Sequence, residues 1–316
     1  MSNRTKEFAK VPAYEEILEG VNGFVAPWTT TDAQAPTRPW LMIAGVPRSG
    51  TTLLYQVLAA SGGFCYPSNI IARYYRSPAF GLRTQRLLEP LLERGAPTWA
   101  SRAGNTDAWW EPHEFGYFWQ HHLPLKPHHE PTDPSMASLA RALAEWEAEA
   151  TRPLLMKNPI LCYVLPDLVR AFPTMHVLHI QRDPVDVGVS ILNLRRRFHG
   201  DVHAWTSLRP RDADAFADAS PAEQVAAQIL SGEQALQRAA EAAEGRWTSI
   251  TYEALCDEPH HVVHQCAERL GATIALTGIP ERFTARRSAG NTRERDAMRD
   301  ALDACPLRRD DSTPDP

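Results

Sequence analysis

The segment Gly45-Val46-Pro47-Arg48-Ser49-Gly50-Thr51-Thr52 constrains the fold of this chain more than any other feature of the sequence. It follows the spacing of a phosphate-binding P-loop, G-x-x-x-x-G-K-[ST], except that Thr51 occupies the position of the lysine. That lysine normally reaches the β- and γ-phosphates of a nucleoside triphosphate. A loop that keeps both glycines but lacks the lysine is expected to hold phosphate without being built for a triphosphate. The positive charge lies inside the loop instead, at Arg48, which favours a nucleotide with a different 5′ group.

The segments on either side of this loop supply the context that a P-loop needs. Residues 39–44 form a short apolar run bounded by proline and glycine, which predicts a buried strand. Leucine and valine recur at helical spacing over residues 53–58, and Ser61-Gly62-Gly63 ends that helix. In a strand–loop–helix unit the free N–H groups of the first helical turn point at an anion, which the helix dipole also favours. The alternative is a turn that only caps a helix, but strand, loop and helix all agree with phosphate binding.

Length and composition limit the remaining possibilities. The chain has 316 residues, is 43% hydrophobic and 22% charged, and carries a net charge of −5. These values predict a globular protein with one large or two modest domains and no general affinity for nucleic acid. No apolar run approaches membrane-spanning length, and the first residues lack the apolar core of a secretory signal. Five scattered cysteines without a C-x-x-C pair are typical of reduced thiols, so we expect a cytoplasmic protein.

Strands and helices are predicted to alternate through most of the chain. The predicted strands cover residues 39–44, 152–157, 174–180 and 247–252, and long helices are predicted at 159–171, after Asp183-Pro184, and from the capping-box sequence Ser220–Glu223 to about residue 244. This alternation predicts an α/β fold, a parallel sheet covered by helices on both faces. We expect an N-terminal helix and connector over residues 1–39, a single domain over 40–305, and a disordered tail over 306–316.

Charged and polar side chains follow the predicted strands almost immediately. Lys157 ends the second strand, Arg182 follows the third, and Tyr252-Glu253 follows the fourth. Ligands of open parallel sheets lie beyond the carboxyl ends of the strands. We therefore expect these residues to converge with Arg48 on one crevice.

These segments together resemble the sulfotransferases that use 3′-phosphoadenosine 5′-phosphosulfate (PAPS). The Gly45–Thr52 loop is similar in amino-acid sequence to the 5′-phosphosulfate loop of protein-tyrosine sulfotransferases and many bacterial relatives. The segment from His179 to Ser190, with Arg182-Asp183-Pro184, resembles the 3′-phosphate motif of that family. Residues 155–159, which contain Lys157, and the late Tyr252-Glu253-Ala254-Leu255 also resemble family segments, and the order is preserved. The resemblance covers roughly residues 40–58 and 152–259 and implies a P-loop-like sulfotransferase fold.

The resemblance also implies roles for individual residues. PAPS would be held at its 5′-phosphosulfate by the loop and the following helix turn, and at its 3′-phosphate by Arg182 and Ser190. Arg182 could instead pair locally with Asp183 or Asp186, and Ser190 could be an ordinary helix serine. Lys157 is expected to stabilise the bridging oxygen and the departing phosphate, and no metal is required, because lysine, arginine and helix N-termini supply the positive field. The residues expected to bind the donor are Arg48, Ser49, Gly50, Thr51, Thr52, Leu53, Arg182, Ser190, Tyr252, Arg286 and Arg287. Tyr252 would stack on adenine or simply pack, and Arg286 and Arg287 would belong to a late basic loop or to a solvated helix face.

The base that deprotonates the acceptor is harder to place from the sequence. Tyrosine sulfotransferases carry a glutamate soon after the loop helix, but residues 64–69 contain no acid here. Cytosolic animal sulfotransferases carry a histidine two positions after the lysine, and Pro159 occupies that position here. The aromatic-rich segment 107–119 remains, because an apolar wall moves the pKa of a base towards neutrality. Glu114, then His113, then Glu111 are the candidates; the alternative is an aromatic packing segment capped by one of the glutamates.

Three functions fit these observations. The first is transfer of a sulfuryl group from PAPS to a hydroxyl of a small molecule, lipid or sugar. The second is a degenerate P-loop kinase or nucleotide hydrolase, for which Asp183 is the best candidate Mg²⁺ ligand. The third is a nucleotide-binding protein without catalytic activity on the same fold. Neither the acceptor nor the oligomeric state follows from the sequence.

Overall fold

Four parallel strands form the central sheet. The computed structural model describes residues 4–27, 32–126, 131 and 136–309. The strands are β1 (Trp40–Ala44), β2 (Leu155–Lys157), β3 (Met175–Gln181) and β4 (Trp247–Thr251), in the order β2-β1-β3-β4. Ile43 of β1 lies opposite Lys157, and Ala44 lies opposite His179. The predicted parallel sheet is confirmed. Because β1 lies between β2 and β3, the P-loop that follows β1 lies between the ends of those two strands.

Helices connect and cover these strands. The connection between successive parallel strands requires a crossover, and here each crossover contains at least one helix. The helices are α1 (Pro12–Val25), α2 (Thr51–Ala60), α3 (Pro78–Leu88), α4 (Gly116–His122), α5 (Ala137–Glu149), α6 (Leu165–Ala171), α7 (Pro184–His199), α8 (Pro221–Ala242), α9 (Tyr252–Asp257), α10 (Pro259–Leu270) and α11 (Thr292–Ala304). Short 3₁₀ turns lie at Lys6–Phe8, Ile71–Arg73, Glu89–Leu91, Pro159–Leu161, Ala213–Phe216 and Pro306–Arg309.

The two faces of the sheet have separate apolar cores. Successive side chains of a strand point to opposite faces. Trp40, Met42 and Ala44 therefore pack with α5, α6, α7, α8 and α11, whereas Leu41 and Ile43 pack with α2, α9 and α10. Helices on both faces confirm the fold class predicted from the sequence. No helix in the described part of the chain has the length and apolar character needed to cross a membrane.

Helix starts follow the local sequence signals. The Asp183 side chain accepts a hydrogen bond of 2.9 Å from the Asp186 N–H, with Pro184 in the first turn of α7. Ser220 and Glu223 form the predicted capping box of α8. Such caps satisfy N–H groups that have no partner within the helix. Both predicted helix starts are confirmed.

Four predicted boundaries are wrong, and each has a local cause. The helix predicted over 159–171 is a 3₁₀ turn followed by α6, because Pro166 is tolerated only in the first turn of a helix. The strand predicted from residue 152 starts at Leu155, since Pro153 has no N–H for the ladder. Tyr252 belongs to α9, where the Thr251 side chain caps the helix. The predicted tail starts too early, because Pro306–Arg309 form a 3₁₀ turn in which the Leu307 carbonyl accepts a bond of 2.8 Å from Gln234; residues 310–316 lie outside the described residues.

Candidate active site

One cavity of about 590 Å³ lies at the carboxyl ends of β1, β2 and β3. This position follows from topology, since β1 connects on one side to the P-loop and is flanked by the ends of β2 and β3. Twelve residues with a predicted donor-binding or catalytic role line the cavity. They are Arg48, Gly50, Thr51, Thr52, Leu53, Glu114, Lys157, Arg182, Ser190, Tyr252, Arg286 and Arg287. Residues that lie up to 239 positions apart in the chain thus meet in one place, as the sequence predicts, but Glu253, which was expected there with Tyr252, does not line the cavity.

The N-terminus of α2 opens into this cavity without a side-chain cap. Gly50 is the N-cap residue of α2, with φ of +105°, and no side chain in the described part of the protein caps the first turn. A Cβ atom at Gly50 would lie 2.6 Å from the Tyr252 ring, and one at Gly45 would lie 2.6 Å from Ser49 Oγ. Glycine is therefore required at both positions. Because α7 and α8 carry side-chain caps and α2 does not, the first-turn N–H groups of α2 are available to an anion.

Lys157 and Glu114 form an ion pair inside the cavity. Lys157 Nζ donates hydrogen bonds to Glu114 Oε1 and, at 3.1 Å, to Thr52 Oγ1. The lysine side chain is 2% exposed and the glutamate side chain is 29% exposed. Burial lowers the pKa of Lys157, and the adjacent Glu114 carboxylate partly offsets this by raising it. The pair therefore presents an ammonium and a carboxylate side by side, at the end of β2 and next to the phosphate loop.

Arginines also line the cavity. Arg48 adopts a left-handed backbone with φ of 74°, and its Nε donates a bond of 3.0 Å to Ser190 Oγ. The Arg182 guanidinium lies 4.4 Å from the centre of the Tyr252 ring and donates to the carbonyls of Arg48 and Arg286. Its Nε atom is buried and has no hydrogen-bond partner within the described residues. Burial lowers the pKa of Arg48, the Glu114 carboxylate partly offsets this by raising it, and Arg182 lowers it further.

The local ion pairs considered for Arg182 do not form. The Asp183 carboxylate caps α7, and Asp186 lies 2.7 Å from Arg295. Asp183 is also the residue on which a kinase or hydrolase mechanism would depend, and it serves as a helix cap here. Arg182 is therefore held by Tyr252 and by carbonyl groups rather than by a carboxylate.

Arg286 and Arg287 lie in an irregular loop between α10 and α11. The Arg286 N–H donates to Tyr252 Oη at 3.4 Å, and Asn193 of α7 donates to the Ala289 carbonyl at 2.6 Å. Because α11 begins only at Thr292, the alternative of a solvated helix face is wrong for these two arginines. The loop carries its positive charge to the rim of the cavity.

Comparison with known proteins now identifies the family. The model of the family described as "Sulfotransferase family" matches residues 39–275, which include the P-loop, Lys157, Arg182 and Tyr252. The chain belongs to the sulfotransferase family. The resemblance to sulfotransferases in the sequence is thereby confirmed. A separate search of curated proteins finds no match.

Several solved bacterial sulfotransferases are similar in structure at low sequence identity. Sulfotransferase STF9 from Mycobacterium avium is 17% identical, with a TM-score of 0.47 and coverage of 86% of this chain and 69% of that one. A sulfotransferase from Alicyclobacillus acidocaldarius is 17% identical, with a TM-score of 0.46 and coverage of 85% and 92%. Sulfotransferase STF1 from Mycobacterium tuberculosis H37Rv is 16% identical, with a TM-score of 0.48 and coverage of 92% and 74%.

Two of the three candidate bases in this sulfotransferase lie outside the cavity. The buried Glu111 carboxylate accepts bonds from the N–H groups of Asp107 (3.2 Å) and Ala108 (3.1 Å) and from Thr98 Oγ1 (3.2 Å). His113 Nδ1 accepts a bond of 2.9 Å from the Phe115 N–H, and burial lowers the pKa of this histidine to about 4. Neither residue lines the cavity, so the predictions of Glu111 and His113 as bases are wrong. Glu111 organises a turn and His113 supports the backbone, whereas Glu114 reaches Lys157.

Ser49 also differs from the prediction. Its side chain is fully buried and does not line the cavity, because Gly45 leaves space for the hydroxyl on the inner side of the loop. The Ser49 N–H donates to the Val46 carbonyl at 3.2 Å, inside the loop. Ser49 therefore shapes the loop rather than facing a ligand.

Two aromatic residues at the cavity were not predicted from the sequence. Trp99 and Phe283 both line it and contact each other edge to face, with ring centres 5.2 Å apart. Trp99 has φ of 53°, and its loop is held by Gln56 Nε2, which donates to the Ala100 carbonyl at 3.0 Å. Both residues lie in irregular segments, where periodicity gives no signal. The short distance in sequence from Phe283 to Arg286 was the available clue.

Gly104 gives Glu114 the space that it occupies. A Cβ atom at Gly104, whose φ is +90°, would lie 2.4 Å from Glu114 Oε1. The Glu114 carbonyl accepts a bond of 3.1 Å from Asn158, the neighbour of Lys157. Within the described residues, Glu114 is the only carboxylate that lines the cavity, and no group of three or more His, Cys, Asp or Glu is arranged to hold a metal ion.

Proposed function

We propose that this sulfotransferase moves a sulfuryl group from PAPS to a hydroxyl of a small molecule, lipid or sugar. The observation that carries the proposal is the Lys157–Glu114 pair beside the uncapped start of α2, in one cavity. An ammonium, a carboxylate and an anion-binding helix start are the three elements that an in-line transfer to a hydroxyl needs. The family and these contacts support the same chemistry.

The residues of the cavity fit a donor with two anionic ends. The N–H groups of the first turn of α2 and the Arg48 side chain would hold the 5′-phosphosulfate. The Arg182 guanidinium and Ser190 would hold the 3′-phosphate, and the buried, unpartnered Nε of Arg182 is a donor that such an oxygen would satisfy. Tyr252 and Phe283 supply aromatic surface for the adenine. The donor itself supplies the activated sulfur–oxygen bond.

Lys157 is assigned to the leaving group. During transfer, the bond between sulfur and the bridging oxygen breaks, and negative charge develops on the 5′-phosphate. The Lys157 ammonium lies next to Thr52, in the first turn of the phosphate-binding helix, so its charge is directed at that oxygen. An ammonium that is almost fully buried requires a functional or structural partner. Glu114 and Thr52 are its partners in the structure, and the departing phosphate is its proposed partner during the reaction.

Glu114 is assigned as the general base. The acceptor hydroxyl forms a new bond to sulfur and loses its proton, which passes to the Glu114 carboxylate. A carboxylate that is partly exposed within the cavity can contact both Lys157 and an incoming hydroxyl. The cationic residues of the cavity cannot accept this proton, and Asp183 is occupied as a helix cap.

Thermal shift measurements with three nucleotides test the donor site. We expect 3′,5′-ADP to raise the melting temperature well above the effect of 5′-AMP or of ATP with Mg²⁺. Arg182→Ala should remove this preference, because losing an arginine–phosphate fork costs roughly 1.5–3 kcal/mol. Arg211→Ala, outside the cavity, is the matched control. Equal shifts with 3′,5′-ADP and 5′-AMP, or an unchanged preference in Arg182→Ala, would contradict the assignment.

Turnover of labelled PAPS then separates an enzyme from a binding protein. A panel of phenolic, steroid, sugar and lipid hydroxyl acceptors should show transfer of label to at least one class. Binding of 3′,5′-ADP without transfer in any class would favour a nucleotide-binding protein. Transfer of phosphate from ATP would favour the kinase interpretation instead.

A further inference from the structure

Helix α1 presents a stripe of large apolar side chains to solvent. The stripe consists of Val11, the N-cap residue, and of Tyr14, Ile17, Val21 and Phe24 within the helix; all five are between 38% and 76% exposed. The steps of three and four residues place the four helical positions on one side of the helix. An adjoining side of the helix packs against the protein, where Leu18, Asn22 and Val25 are buried. A contiguous exposed apolar surface of this kind marks an interaction site.

The orientation of α1 is fixed, so the stripe cannot turn inward. Asn22 Nδ2 donates to the Arg73 carbonyl at 2.7 Å, and Asn22 Oδ1 accepts a bond of 2.9 Å from the Arg76 N–H. Glu19 accepts a bond of 2.5 Å from the Tyr75 hydroxyl. These contacts hold the buried side of the helix against residues 73–76. The apolar stripe therefore stays on the outside of the protein.

Gly20 within α1 points to a second helix that packs against it. Glycine weakens a helix interior, and a Cβ atom at Gly20 would meet nothing within 4 Å among the described residues. No contact in the described part of the chain therefore requires glycine at this position. Gly20 lies three residues after Ile17 and four before Phe24, so it borders the stripe. The missing side chain allows another backbone to come close beside the stripe.

We propose that the α1 stripe is the interface between two copies of this chain, with the two α1 helices antiparallel across a twofold axis near residue 19. In such an isologous interface residue i contacts residue j, and j contacts i. The stripe has this symmetry: Tyr14 would face Phe24 of the second copy, and Ile17 would face Val21. The repeat of three and four residues is that of helices packed at a small angle.

Area and charge agree with a second copy as the partner. The five side chains present roughly 500 Å² per copy, so a pair buries on the order of 1,000 Å², the lower bound for a specific interface. Two of the three acidic residues of α1 are already paired within the chain: Lys10 lies 2.7 Å from Glu15, and Arg76 pairs with Glu19. Only the exposed Glu16 would then bring an unbalanced negative charge from each α1 helix to a contact between two copies.

Sedimentation equilibrium of the full chain tests the proposal. We expect the wild type to approach twice the chain mass of 35.3 kDa at micromolar concentration. Ile17→Asp and, separately, Phe24→Asp should give folded monomers with unchanged far-ultraviolet circular dichroism spectra, since neither side chain is buried within the chain; their melting temperatures should fall only by the stabilisation that the dimer provides. Leu87→Asp on α3, an equally exposed apolar position outside the stripe, is the matched control and should remain dimeric.

Cysteine pairing tests the antiparallel arrangement. A mixture of Ile17→Cys and Val21→Cys should form a disulfide-linked dimer on oxidation, whereas each variant alone should not. A monomeric wild type, or a dimer that survives both aspartate variants, would overturn the proposal. So would loss of the dimer only in Leu87→Asp. Binding of a monomeric wild type to phosphatidylcholine–phosphatidylserine vesicles, abolished by Ile17→Asp, would identify the stripe as a membrane contact and overturn it as well.

Discussion

Replacing Glu114 by glutamine tests the chemical centre of the site most directly. The amide has the shape of the carboxylate and keeps an oxygen for Lys157 Nζ, but it carries no charge and cannot take a proton from the acceptor. If Glu114 is the base, kcat should fall by about 10²–10⁴-fold. Binding of 3′,5′-ADP should persist, because Arg48, Arg182 and the start of α2 are unchanged.

The same substitution also has a predictable effect on stability. Two unit charges about 4 Å apart interact by about 4 kcal/mol at an effective dielectric constant of 20. The lysine is 2% exposed but the glutamate is 29% exposed, so solvent screens part of this attraction. The amide oxygen also retains a hydrogen bond to the ammonium. We therefore expect a loss of about 1–2 kcal/mol in the free energy of unfolding, which is too small to explain a large loss of rate.

The pH dependence provides a further readout of the pair. Burial lowers the pKa of Lys157, and Glu114 raises it, so Glu114→Gln should lower that pKa further. The leaving-group role requires the ammonium form, which is lost as the pH rises through the pKa of Lys157. The alkaline fall of the residual rate should therefore begin at a lower pH in Glu114→Gln than in the wild type.

Single-turnover transfer from saturating labelled PAPS is the appropriate assay, since it isolates the chemical step from product release. Glu111→Gln is the matched control, because it neutralises a neighbouring carboxylate that lies outside the cavity. It should lower stability without a comparable loss of rate. If Glu114→Gln keeps its rate within about threefold of the wild type, Glu114 is only a counterion for Lys157, and the reasoning is refuted.

Three other predictions follow from the structure. Lys157→Ala should lower kcat by about 10²–10³-fold while 3′,5′-ADP still binds, and an unchanged rate in a folded variant would remove the lysine from the mechanism. Gly104→Ala should displace the Glu114 carboxylate and lower kcat by about tenfold or more without affecting 3′,5′-ADP binding; Gly95→Ala, where a Cβ atom meets nothing within 4 Å, is its control. Acid should destabilise the protein below pH 6.5. Burial lowers the pKa of His113 and of His179 from 6.5 to about 4, and that of His122 to about 3. The unfolded chain therefore binds more protons than the folded one as the pH falls from 6.5 towards 4. Each histidine lowers stability by about 1.4 kcal/mol per pH unit over this range, and the carboxyl of Glu233, whose pKa burial raises to about 7, acts in the opposite direction. Urea unfolding at pH 7, 6 and 5 should show this fall in stability, and constant stability would contradict the prediction.

The sheet and its catalytic edge were predictable because parallel strands have simple sequence signals. Buried parallel strands are short apolar runs, and the residue after each run lies at the carboxyl edge. Lys157, Arg182 and Tyr252 could therefore be assigned to one crevice from their positions alone. Their convergence needed no knowledge of the connecting helices. Strand ends were less accurate, since Pro153 lacks the N–H that the ladder needs and Thr251 caps α9 through one side-chain hydrogen bond, and hydrophobicity reveals neither effect.

The choice among Glu111, His113 and Glu114 could not be made from the sequence. All three lie within one stretch of four residues, 111–114, and share the same aromatic neighbours in the sequence. What separates them is a local turn, in which Glu111 accepts the N–H groups of Asp107 and Ala108. The left-handed backbone of Phe115, with φ of 59°, then redirects the chain after Glu114. Turns of this kind depend on individual backbone angles, for which apolar patterning carries no information.

The position of the base in the chain is less constrained than the position of the lysine. Lys157 is the last residue of β2, and that strand end lies beside both the P-loop and the cavity. Glu114 reaches the same point from a long irregular segment, and two contacts secure it there: its side chain meets Lys157, and its carbonyl accepts a bond of 3.1 Å from Asn158. Adjacent residues at one strand end thus hold both the backbone and the side chain of the proposed base. Any segment that delivers a carboxylate to this pair of donors can supply the base, which explains why neither the position after the loop helix nor the position of Pro159 needs to carry one.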